Sequence, residues 1–410
     1  MNRRPDILFV IGTLQVGGSE MHLLQISTAL AGLGWNVSVC SLAGDGPLRH
    51  SFEAGGVEIC LPPVRRRASM KTLARLTKLG VVASYLFGLF AWRRPKIVHF
   101  FLPQAYLTGV PLAMLALVPI RVMSRRSLNN YQKAHPSWRR AELICHRFMA
   151  AVLGNSKPVM RDLLEEGIPR SRLGLIYSGI DTARFQNLAS RTALRDKFGV
   201  AHEALVFCIV ANLIPYKGHA DLIEALAIAA PELPASWRLL VAGRDDGVET
   251  KLRTRAAELS IDEHVIFLGP RNDVPELLAT ADIALSCSHE EGLSNAVLEA
   301  MASGLPTVVT DVGGNPEATI DGETGIVVPA RNPALLARAL VRLANDADLR
   351  ATFGRAGQKR IAEVFSLDHC ANQYDALYRA LLAGLTPLAA LGSWDATGTE
   401  DAAGLTGPRS

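Results

Sequence analysis

The chain has 410 residues, of which 49% are hydrophobic and 20% are charged, and its formal net charge is +4. A chain of this length exceeds what one hydrophobic core usually serves, so two domains are expected. The small net charge and the absence of a recognisable nucleic-acid-binding signature argue against binding to RNA or DNA. The six cysteines are scattered without a C-x-x-C pair, which favours a reduced cytosolic compartment over a disulfide framework or a zinc site.

The first half alternates apolar runs with amphipathic stretches, a pattern that predicts a parallel, doubly wound α/β domain. Strands are predicted at residues 6–11, 37–42, 57–61, 97–101, 121–124 and 151–154. A glycine-containing loop follows the first strand, and an amphipathic helix then runs to Gly34. The segment up to Ile11 is too short, and lacks the cleavage pattern, for a signal peptide.

Residues 97–120 carry no formal charge apart from His99, and their length alone would make them a candidate membrane span. Pro103, Pro111 and Pro119 interrupt this run. The run also divides naturally into a strand and a helix, which is the structure predicted for it.

The second half repeats the same alternation, with strands predicted at residues 204–210, 237–243, 265–269, 283–286, 307–310 and 325–328. The predicted organisation is two Rossmann-like, doubly wound domains facing across a cleft, where the carboxyl ends of the strands bind ligands. The predicted bounds are 1–185 and 186–365 for the domains, 366–384 for a closing helix and 385–410 for a disordered, Ala/Gly/Thr-rich tail.

Residues 281–304 are the most informative stretch, because they predict a buried strand, a polar turn and a helix. Glu291 is expected at the N-terminus of that helix, and Glu299 lies eight positions further on. Free backbone N–H groups are expected at 292–295, beside the first carboxylate. The arrangement suits a ligand that carries both hydroxyl groups and a phosphate.

The glycine loop after the first strand excludes two nucleotide-binding classes. Gly12 and Gly17 have the spacing of a P-loop, but Gly18 stands where that motif requires Lys. The loop is not G-x-G-x-x-G, and the second strand ends without an acidic residue for a ribose, which argues against a nicotinamide dehydrogenase. Gly17 and Gly18 predict either a phosphate contact or a plain strand–helix turn.

An ordered set of motifs resembles the retaining glycosyltransferases of family 4, which have the GT-B fold. Residues 291–299 match the E-x7-E motif of that family, and Pro215 to His219 resemble its Lys-Gly loop. The other matching segments are 17–18, 154–156, 177–181, 265–269 with Asp273-Val274, 300–306 and 311–314 with Glu317. The resemblance extends from about residue 6 to residue 382.

The resemblance implies roles for individual residues. Glu291 would bind hydroxyls of the donor sugar, Glu299 the nucleotide ribose, and Lys217 the leaving diphosphate. The implied catalytic residues are Lys217, Glu291 and His99, and the implied donor-binding residues are Gly17, Gly18, Asn212, Lys217, Arg271, Glu291, Gly292, Leu293, Ser294, Asn295 and Glu299. No metal ion and no cofactor are expected, because a Lys and a helix N-terminus are fixed positive groups that can neutralise a departing phosphate.

Two positions depart from the family pattern. Asn212 stands where members often have Arg, so neutralisation would rest on Lys217, with Arg244 or Arg271 helping. Many members have a His-containing turn where this chain reads Ser-Arg-Arg-Ser-Leu at 124–128, so His99, Arg125 or Arg126 could contribute instead. A structural role for His99 is an equal alternative. Asp245-Asp246 could suggest a metal pair, although a solvated loop is favoured.

The basic stretch at 64–96 suggests a contact with a membrane. Lys71, Arg75 and Lys78 fall on one helical face, and the uncharged run 81–92 resembles an interfacial segment. The hypothesis is a cytoplasmic protein whose N-terminal domain touches anionic lipid at the inner membrane face. The alternative is a basic helix packed on the core.

The sequence therefore predicts transfer of a hexosyl group from a UDP- or GDP-linked sugar to a lipid-linked or polysaccharide acceptor. A nucleotide-sugar epimerase of the same fold is one alternative, and it would need an acid–base cluster in the cleft. A non-catalytic sugar-nucleotide-binding or assembly protein is another, which Asn212 and the missing His would fit.

Overall fold

The computed structural model describes residues 6–64 and 72–394, apart from the side chains of 72–76 and 134. The chain forms two compact units. One comprises Met1–Gln15, Gly34–Ile176 and Gln373–Ser410, and the other comprises Val16–Leu33 and Tyr177–Asn372. These bounds differ from the predicted ones, because 16–33 belong to the second unit and the C-terminal helix is divided between the two units.

The elements up to residue 176 alternate strands and helices. They are β1 (Ile7–Ile11), α1 (Gly18–Gly32), β2 (Val37–Ser41), α2 (Arg49–Ala54), β3 (Glu58–Cys60), α3 (Thr72–Arg93), β4 (Ile97–Phe101), α4 (Leu102–Leu115), β5 (Ile120–Arg125), α5 (Asn130–Ala134), α6 (Pro136–His146), β6 (Ala151–Gly154), α7 (Lys157–Glu165) and β7 (Leu173–Leu175).

The alternation continues through the rest of the chain. The elements are α8 (Arg191–Lys197), β8 (Val206–Val210), α9 (His219–Ala229), β9 (Arg238–Ala242), α10 (Glu249–Glu258), β10 (Val265–Gly269), α11 (Val274–Thr280), β11 (Ile283–Ser286), α12 (Asn295–Ala302), β12 (Thr307–Thr310), α13 (Asn315–Ala318), β13 (Gly325–Val328), α14 (Pro333–Ala344), α15 (Ala347–Val364), α16 (Leu367–Leu382) and α17 (Pro387–Leu391).

The sheet of the first unit is parallel, with strand order β3-β2-β1-β4-β5-β6-β7. β1 is buried along its whole length, as expected for a central strand covered on both faces. The strand order reverses between β1 and β4, which makes their carboxyl ends the ligand-binding edge of this unit. β7 was not predicted, because it has only three residues and one of them is Gly174, a poor strand former.

The sheet of the second unit is also parallel, with strand order β10-β9-β8-β11-β12-β13. β8 and β11 are hydrogen-bonded neighbours, although 72 residues separate Val210 from Ile283 along the chain. The two intervening strands, β9 and β10, extend the sheet on the other side of β8. The order reverses between these two strands, so the loops after them lie at the ligand-binding edge. The prediction of two Rossmann-like units is confirmed.

The uncharged run at 97–120 forms strand β4 and helix α4, as predicted. None of the helices in the described ranges is long and apolar enough to cross a membrane. The run 81–92 lies inside α3, where Val82, Leu86 and Phe90 are buried in the core of the first unit. One face of the predicted interfacial segment therefore packs on protein. Residues 65–71, with Lys71, lie outside the described residues.

The C-terminal segment is ordered further than its composition predicts. Helix α17 begins at a Thr386 cap, whose hydroxyl accepts a bond from the Ala389 N–H at 3.4 Å. A Cβ atom on Gly174 would lie 2.8 Å from Leu391 Cδ1, so α17 packs directly on β7. The prediction of disorder does not hold for 387–394, because it overlooked the apolar residues of that stretch. Residues 395–410 lie outside the described part.

Candidate functional site

The loops after β8 and β11 meet at the ligand-binding edge of the second unit. Gly218 ends the loop after β8 with a φ of 72°, a left-handed conformation that suits glycine. A Cβ atom at this position would lie 1.8 Å from the carbonyl oxygen of Cys287. The close approach of the two backbones therefore requires glycine, and it brings Lys217 to the loop that carries the first predicted carboxylate.

Lys217 and Glu291 form an ion pair across these two loops. The distance from Lys217 Nζ to Glu291 Oε1 is 2.5 Å, and the Ser288 hydroxyl donates to the same oxygen at 2.8 Å. Both side chains are mostly buried but open to solvent on one side, with 19% and 12% exposure. The structure thus brings together two of the predicted catalytic residues, and it adds Ser288, for which no role was predicted.

The turn that carries Glu291 is held by the loop after β12. Gly314 N–H donates to the Gly292 carbonyl at 2.6 Å. Gly313 has a φ of 54°, and a Cβ atom there would lie 1.8 Å from the Glu291 carbonyl oxygen. The two glycines of the predicted motif at 311–314 therefore lie directly against the backbone carbonyls of Glu291 and Gly292.

The expected position of Glu291 at a helix N-terminus is wrong. Helix α12 begins only at Asn295, where the Ser294 hydroxyl caps it by accepting a bond from the Val297 N–H at 3.4 Å. The preceding residues, Gly292 and Leu293, form an irregular buried turn. The Gly292 carbonyl of this turn accepts the bond from Gly314 in the loop after β12, a contact that the apolar periodicity could not reveal.

Glu299 lies on α12 and pairs with Arg184, whose Nη1 is 3.5 Å from Glu299 Oε1. Burial raises the pKa of the Glu299 carboxyl above its ordinary value, and the Arg184 guanidinium opposes that rise. Arg184 was not predicted. Arg184 lies three positions after the family-like segment at 177–181. Its position close to that motif was the only feature of the sequence that could have identified it.

Gly18 and Asn295 are brought together within the second unit. The Asn295 side-chain amide donates to the Gly18 carbonyl at 2.9 Å. Gly17 caps α1 with extended backbone, and α1 begins at Gly18. The start of α1 and the start of α12 therefore lie side by side, and two of the predicted donor-binding residues are in contact.

The remaining donor-binding candidates have other partners. The Asn212 side-chain oxygen accepts from the Arg244 backbone N–H at 3.2 Å, and Arg271 pairs with Asp273. The guanidinium of Arg244 pairs with Asp246 at 3.0 Å. Within the described ranges, no hydrogen bond or ion pair joins any of these residues to Lys217 or Glu291.

Asp245 and Asp246 do not form a metal pair. One carboxylate oxygen of Asp245 accepts backbone N–H bonds from residues 247–249, and Asp246 is held by Arg244. These backbone bonds lower the pKa of Asp245 below its usual value. Asp245 thus holds the backbone of its own loop, and Asp246 forms a surface ion pair with Arg244. These contacts agree with the solvated-loop interpretation that the sequence favours.

His99 lies in the interior of the first unit. Its Nδ1 is 2.6 Å from the Tyr378 hydroxyl and its Nε2 is 2.8 Å from the Ser124 hydroxyl, so both ring nitrogens are used. Burial lowers the pKa of His99 to about 3, which keeps the ring neutral. This geometry contradicts the predicted catalytic role and supports the structural alternative.

Arg125, the other proposed contributor near β5, is also buried. Its guanidinium lies 2.6 Å from Glu142 Oε2 and 2.5 Å from Glu166 Oε1. Glu142, His146 and Glu166 have donor atoms within 4.8 Å of one another, a spacing that could hold a metal ion. Because the Arg125 guanidinium contacts both carboxylates, the cluster is an internal ion-pair network.

Two family models match consecutive parts of the chain and together extend from residue 16 to residue 360. Residues 16–184 match the model described as Glycosyltransferase Family 4, and residues 190–360 match the model described as Glycosyl transferases group 1. The chain belongs to the family 4 glycosyltransferases. The predicted resemblance to family 4 is confirmed, and the loops that carry Lys217 and Glu291 lie within the group 1 match.

Similar proteins include other glycosyltransferases of this family. The chain is 25% identical over 398 residues to the D-inositol 3-phosphate glycosyltransferase of Corynebacterium glutamicum, covering 91% of this chain and 94% of that protein. It is 26% identical over 302 residues to the lipopolysaccharide core biosynthesis mannosyltransferase LpsB of Rhizobium meliloti, covering 71% and 82%. For the first curated relatives, the chain spans about half of their length.

The same fold is found in HepE of Anabaena, whose crystal structure was solved in complex with UDP-glucose. The TM-score is 0.79 at 22% sequence identity, and the match covers 92% of this chain and 99% of HepE. This likeness establishes the GT-B fold for the chain.

Proposed function

We propose that the chain transfers a hexosyl group from a UDP- or GDP-linked sugar to an acceptor, with retention of configuration and without a metal ion. The observation that carries the proposal is the Lys217–Glu291 pair at the edge where the order of the second sheet reverses. An ammonium group beside a carboxylate at such an edge can bind a molecule that contains both a phosphate and sugar hydroxyls.

Lys217 would stabilise the negative charge that builds on the diphosphate as the sugar–phosphate bond breaks. The first turn of α12 leaves backbone N–H groups without helical partners, and these would bind phosphate oxygens. Since Lys217 supplies a fixed positive charge at the leaving group, the proposed mechanism needs no cation or cofactor.

Glu291 would accept hydrogen bonds from hydroxyls of the transferred sugar, and Glu299 from the ribose diol. Glu291 Oε1 already accepts bonds from Lys217 and Ser288, which favours a binding role over attack on the anomeric carbon. Donor binding would draw Lys217 from the carboxylate toward the phosphates, leaving Ser288 to hold Glu291.

The acceptor is proposed to be a lipid-linked sugar or a growing polysaccharide. The similarity to LpsB, named as a mannosyltransferase of the lipopolysaccharide core, supports an acceptor of this kind. We also propose a location on the cytoplasmic face of the membrane, with contact through residues 64–96. Leu79 and Phe87 of α3 are exposed and could take part.

The decisive experiment is a panel of UDP-, GDP- and ADP-linked hexoses, scored by thermal shift and by release of the nucleoside diphosphate. A stabilising donor whose nucleotide is released together with a new glycosidic product supports the proposal. Tight binding without turnover would identify a non-catalytic binder. Conversion of the donor into its sugar epimer, with the nucleotide retained, would identify an epimerase.

A further inference from the structure

Five large apolar side chains are exposed at the amino edge of the first sheet. They are Trp92 near the end of α3, Leu115 and Leu117 at the end of α4, and Ile144 and Phe148 at the end of α6. We call this set the amino-edge surface. Trp92 and Leu117 are almost fully exposed, at 89% and 85%. Scattered apolar residues are normal on protein surfaces, but a group on neighbouring loops marks an interaction site.

The parallel register places these loops next to one another. Ile97 of β4 is the partner of Ile120 of β5, so the connections that precede the two strands lie side by side. Val122 of β5 pairs with Ala151 of β6, which places the next connection beside them. Arg121 joins the last two connections, because its guanidinium donates to the Val118 carbonyl and, at 2.9 Å, to the Phe148 carbonyl.

Two of these helices end in a conformation that normally selects glycine. Leu117 has a φ of 55°, and Arg94 a φ of 44°. The Leu117 and Val118 N–H groups bond back to the Met114 and Ala113 carbonyls at 3.0 and 2.9 Å, which closes α4 with the turn that glycine usually provides. A left-handed leucine is strained. Because its side chain is exposed, packing does not compensate for this strain, and strain of this kind concentrates at functional sites.

The charge of the surface points to its partner. The connections at 93–96, 116–119 and 147–150 contain Arg93, Arg94, Lys96 and Arg147, and they contain no acidic residue. Arg93 pairs with Glu58 and Lys96 with Asp6, whereas Arg147 makes no ion pair within the described ranges. Apolar side chains projecting singly among cations are typical of proteins that rest on anionic lipid.

We infer that the amino-edge surface docks on an anionic lipid bilayer, with Trp92 and Leu117 inserted between the headgroups. This edge lies opposite the carboxyl ends of the strands, so docking leaves the ligand-binding edge of the unit open to the polysaccharide acceptor of the proposed function rather than to a lipid-linked one. The inference extends the membrane contact of the proposed function from α3 to the ends of α4 and α6. It does not depend on the identity of the sugar donor.

The test compares the wild-type chain with the double variant Arg94→Gly/Leu117→Gly in vesicle co-sedimentation. The vesicles contain either neutral phosphatidylcholine alone or phosphatidylcholine with phosphatidylglycerol. The wild type should bind the anionic vesicles and lose binding as salt rises. The variant should bind at least about tenfold more weakly, because it loses one inserted apolar side chain and one cation.

Glycine adopts the left-handed conformation of both positions without strain, so neither substitution distorts the backbone, and thermal unfolding of the variant checks its fold. Ile228→Ser provides the matched control, since Ile228 is an exposed aliphatic residue of the second unit. This variant should bind vesicles like the wild type. Donor-induced thermal shift should be equal in all three proteins, which separates loss of docking from failure of the proposed transferase function.

Three results would overturn the inference. They are failure of the wild-type chain to bind anionic vesicles at low salt, equal binding to neutral vesicles, and undiminished binding of the double variant. Sedimentation velocity without lipid provides a further check. Self-association of the wild type that the double variant abolishes would assign the surface to contact between copies of the chain.

Discussion

Lys217 and Glu291 are 74 positions apart in the chain, and their charged groups lie 2.5 Å from each other. The pair exists because β8 and β11 are neighbours in the sheet and each is followed by a loop at the same edge. Each charge therefore compensates the other. In the proposed function, the diphosphate of the donor would therefore compete with Glu291 for Lys217.

Replacement of Lys217 by Ala should reduce turnover by about 2.7–4 kcal/mol of transition-state stabilisation, or roughly 10²–10³-fold in kcat. The reason is that the leaving diphosphate loses its fixed positive partner. Steady-state kinetics with the best donor of the panel measure the effect. Lys359→Ala removes an exposed lysine and should leave kcat unchanged. Normal turnover in Lys217→Ala would disprove the assigned role.

Glu299→Gln should weaken donor binding more than it reduces kcat, because a neutral amide holds a ribose diol less well than a carboxylate. The pKa of Glu299 is raised, so donor affinity should decline on acidification earlier than for an ordinary glutamate. Isothermal titration calorimetry across pH measures this decline. In Arg184→Ala the decline in affinity should begin at a still higher pH, because the substitution removes the positive charge that opposes the rise of the Glu299 pKa. Unchanged affinity in Glu299→Gln would contradict the ribose assignment.

Gly313→Ala should destabilise the fold and weaken donor binding, because a Cβ atom there would strike the Glu291 carbonyl. Gly322→Ala is the matched control. Gly322 also has a left-handed φ, of 73°, but no atom lies within 4 Å of the added carbon. The free energy of unfolding of the control should fall only by the energy of placing alanine in a left-handed conformation, roughly 1–2 kcal/mol. Equal effects of the two substitutions on denaturant unfolding and donor affinity would show that the Glu291 turn tolerates displacement.

The buried, neutral His99 should make the protein acid-sensitive. Its pKa is lowered to about 3 in the folded chain, against about 6.5 when unfolded. Between these values the unfolded chain binds more protons, so the free energy of unfolding falls as pH decreases from about 6.5 toward 3. His99→Gln should reduce this slope by up to about 1.4 kcal/mol per pH unit, as urea unfolding across pH would measure.

His219 contributes in the same direction, because burial lowers its pKa to about 4. A His99→Gln protein that keeps the wild-type pH slope of unfolding would refute the buried, neutral assignment. Loss of kcat in that variant at neutral pH, with the fold and donor affinity intact, would restore the catalytic role predicted from the sequence.

Arg125→Met should cost about 3–5 kcal/mol of unfolding free energy, since it leaves Glu142 and Glu166 buried without their shared cation. The exposed Arg355→Met should have little effect. Urea unfolding measures both variants. A variant that remains as stable as the wild type but loses turnover would contradict the structural role assigned to Arg125 and would indicate a role in the reaction.

Much of the fold could be predicted from the sequence, because each strand of a covered parallel sheet is a continuous apolar run bounded by loops. The run at 265–269 and that at 307–310 match β10 and β12 residue for residue. β7 could not be predicted, since three residues with a central glycine carry almost no local signal. The order of α17 was also missed, because low-complexity composition concealed the packing of Leu391 on Gly174.

The candidate site was only partly predictable. The spacing of Glu291 and Glu299 is a local property, so both residues could be identified before the structure was known. The partners Ser288 and Arg184 could not, because their roles depend on how separate segments pack. His99 and Arg125 show the opposite error, since polar residues within buried strands resemble catalytic groups until their partners are known.

The sequence by itself determined the two alternating α/β units, the carboxylates of the stretch at 281–304 and the Lys-Gly loop. These features arise from residues close together in the chain, where periodicity and glycine positions govern local structure. Only the tertiary structure decided that Lys217 faces Glu291 and that Arg184 faces Glu299. It also decided that His99 is enclosed and that Trp92 and Leu117 are exposed. Strand order and helix packing bring distant residues together, and neither can be read from local spacing.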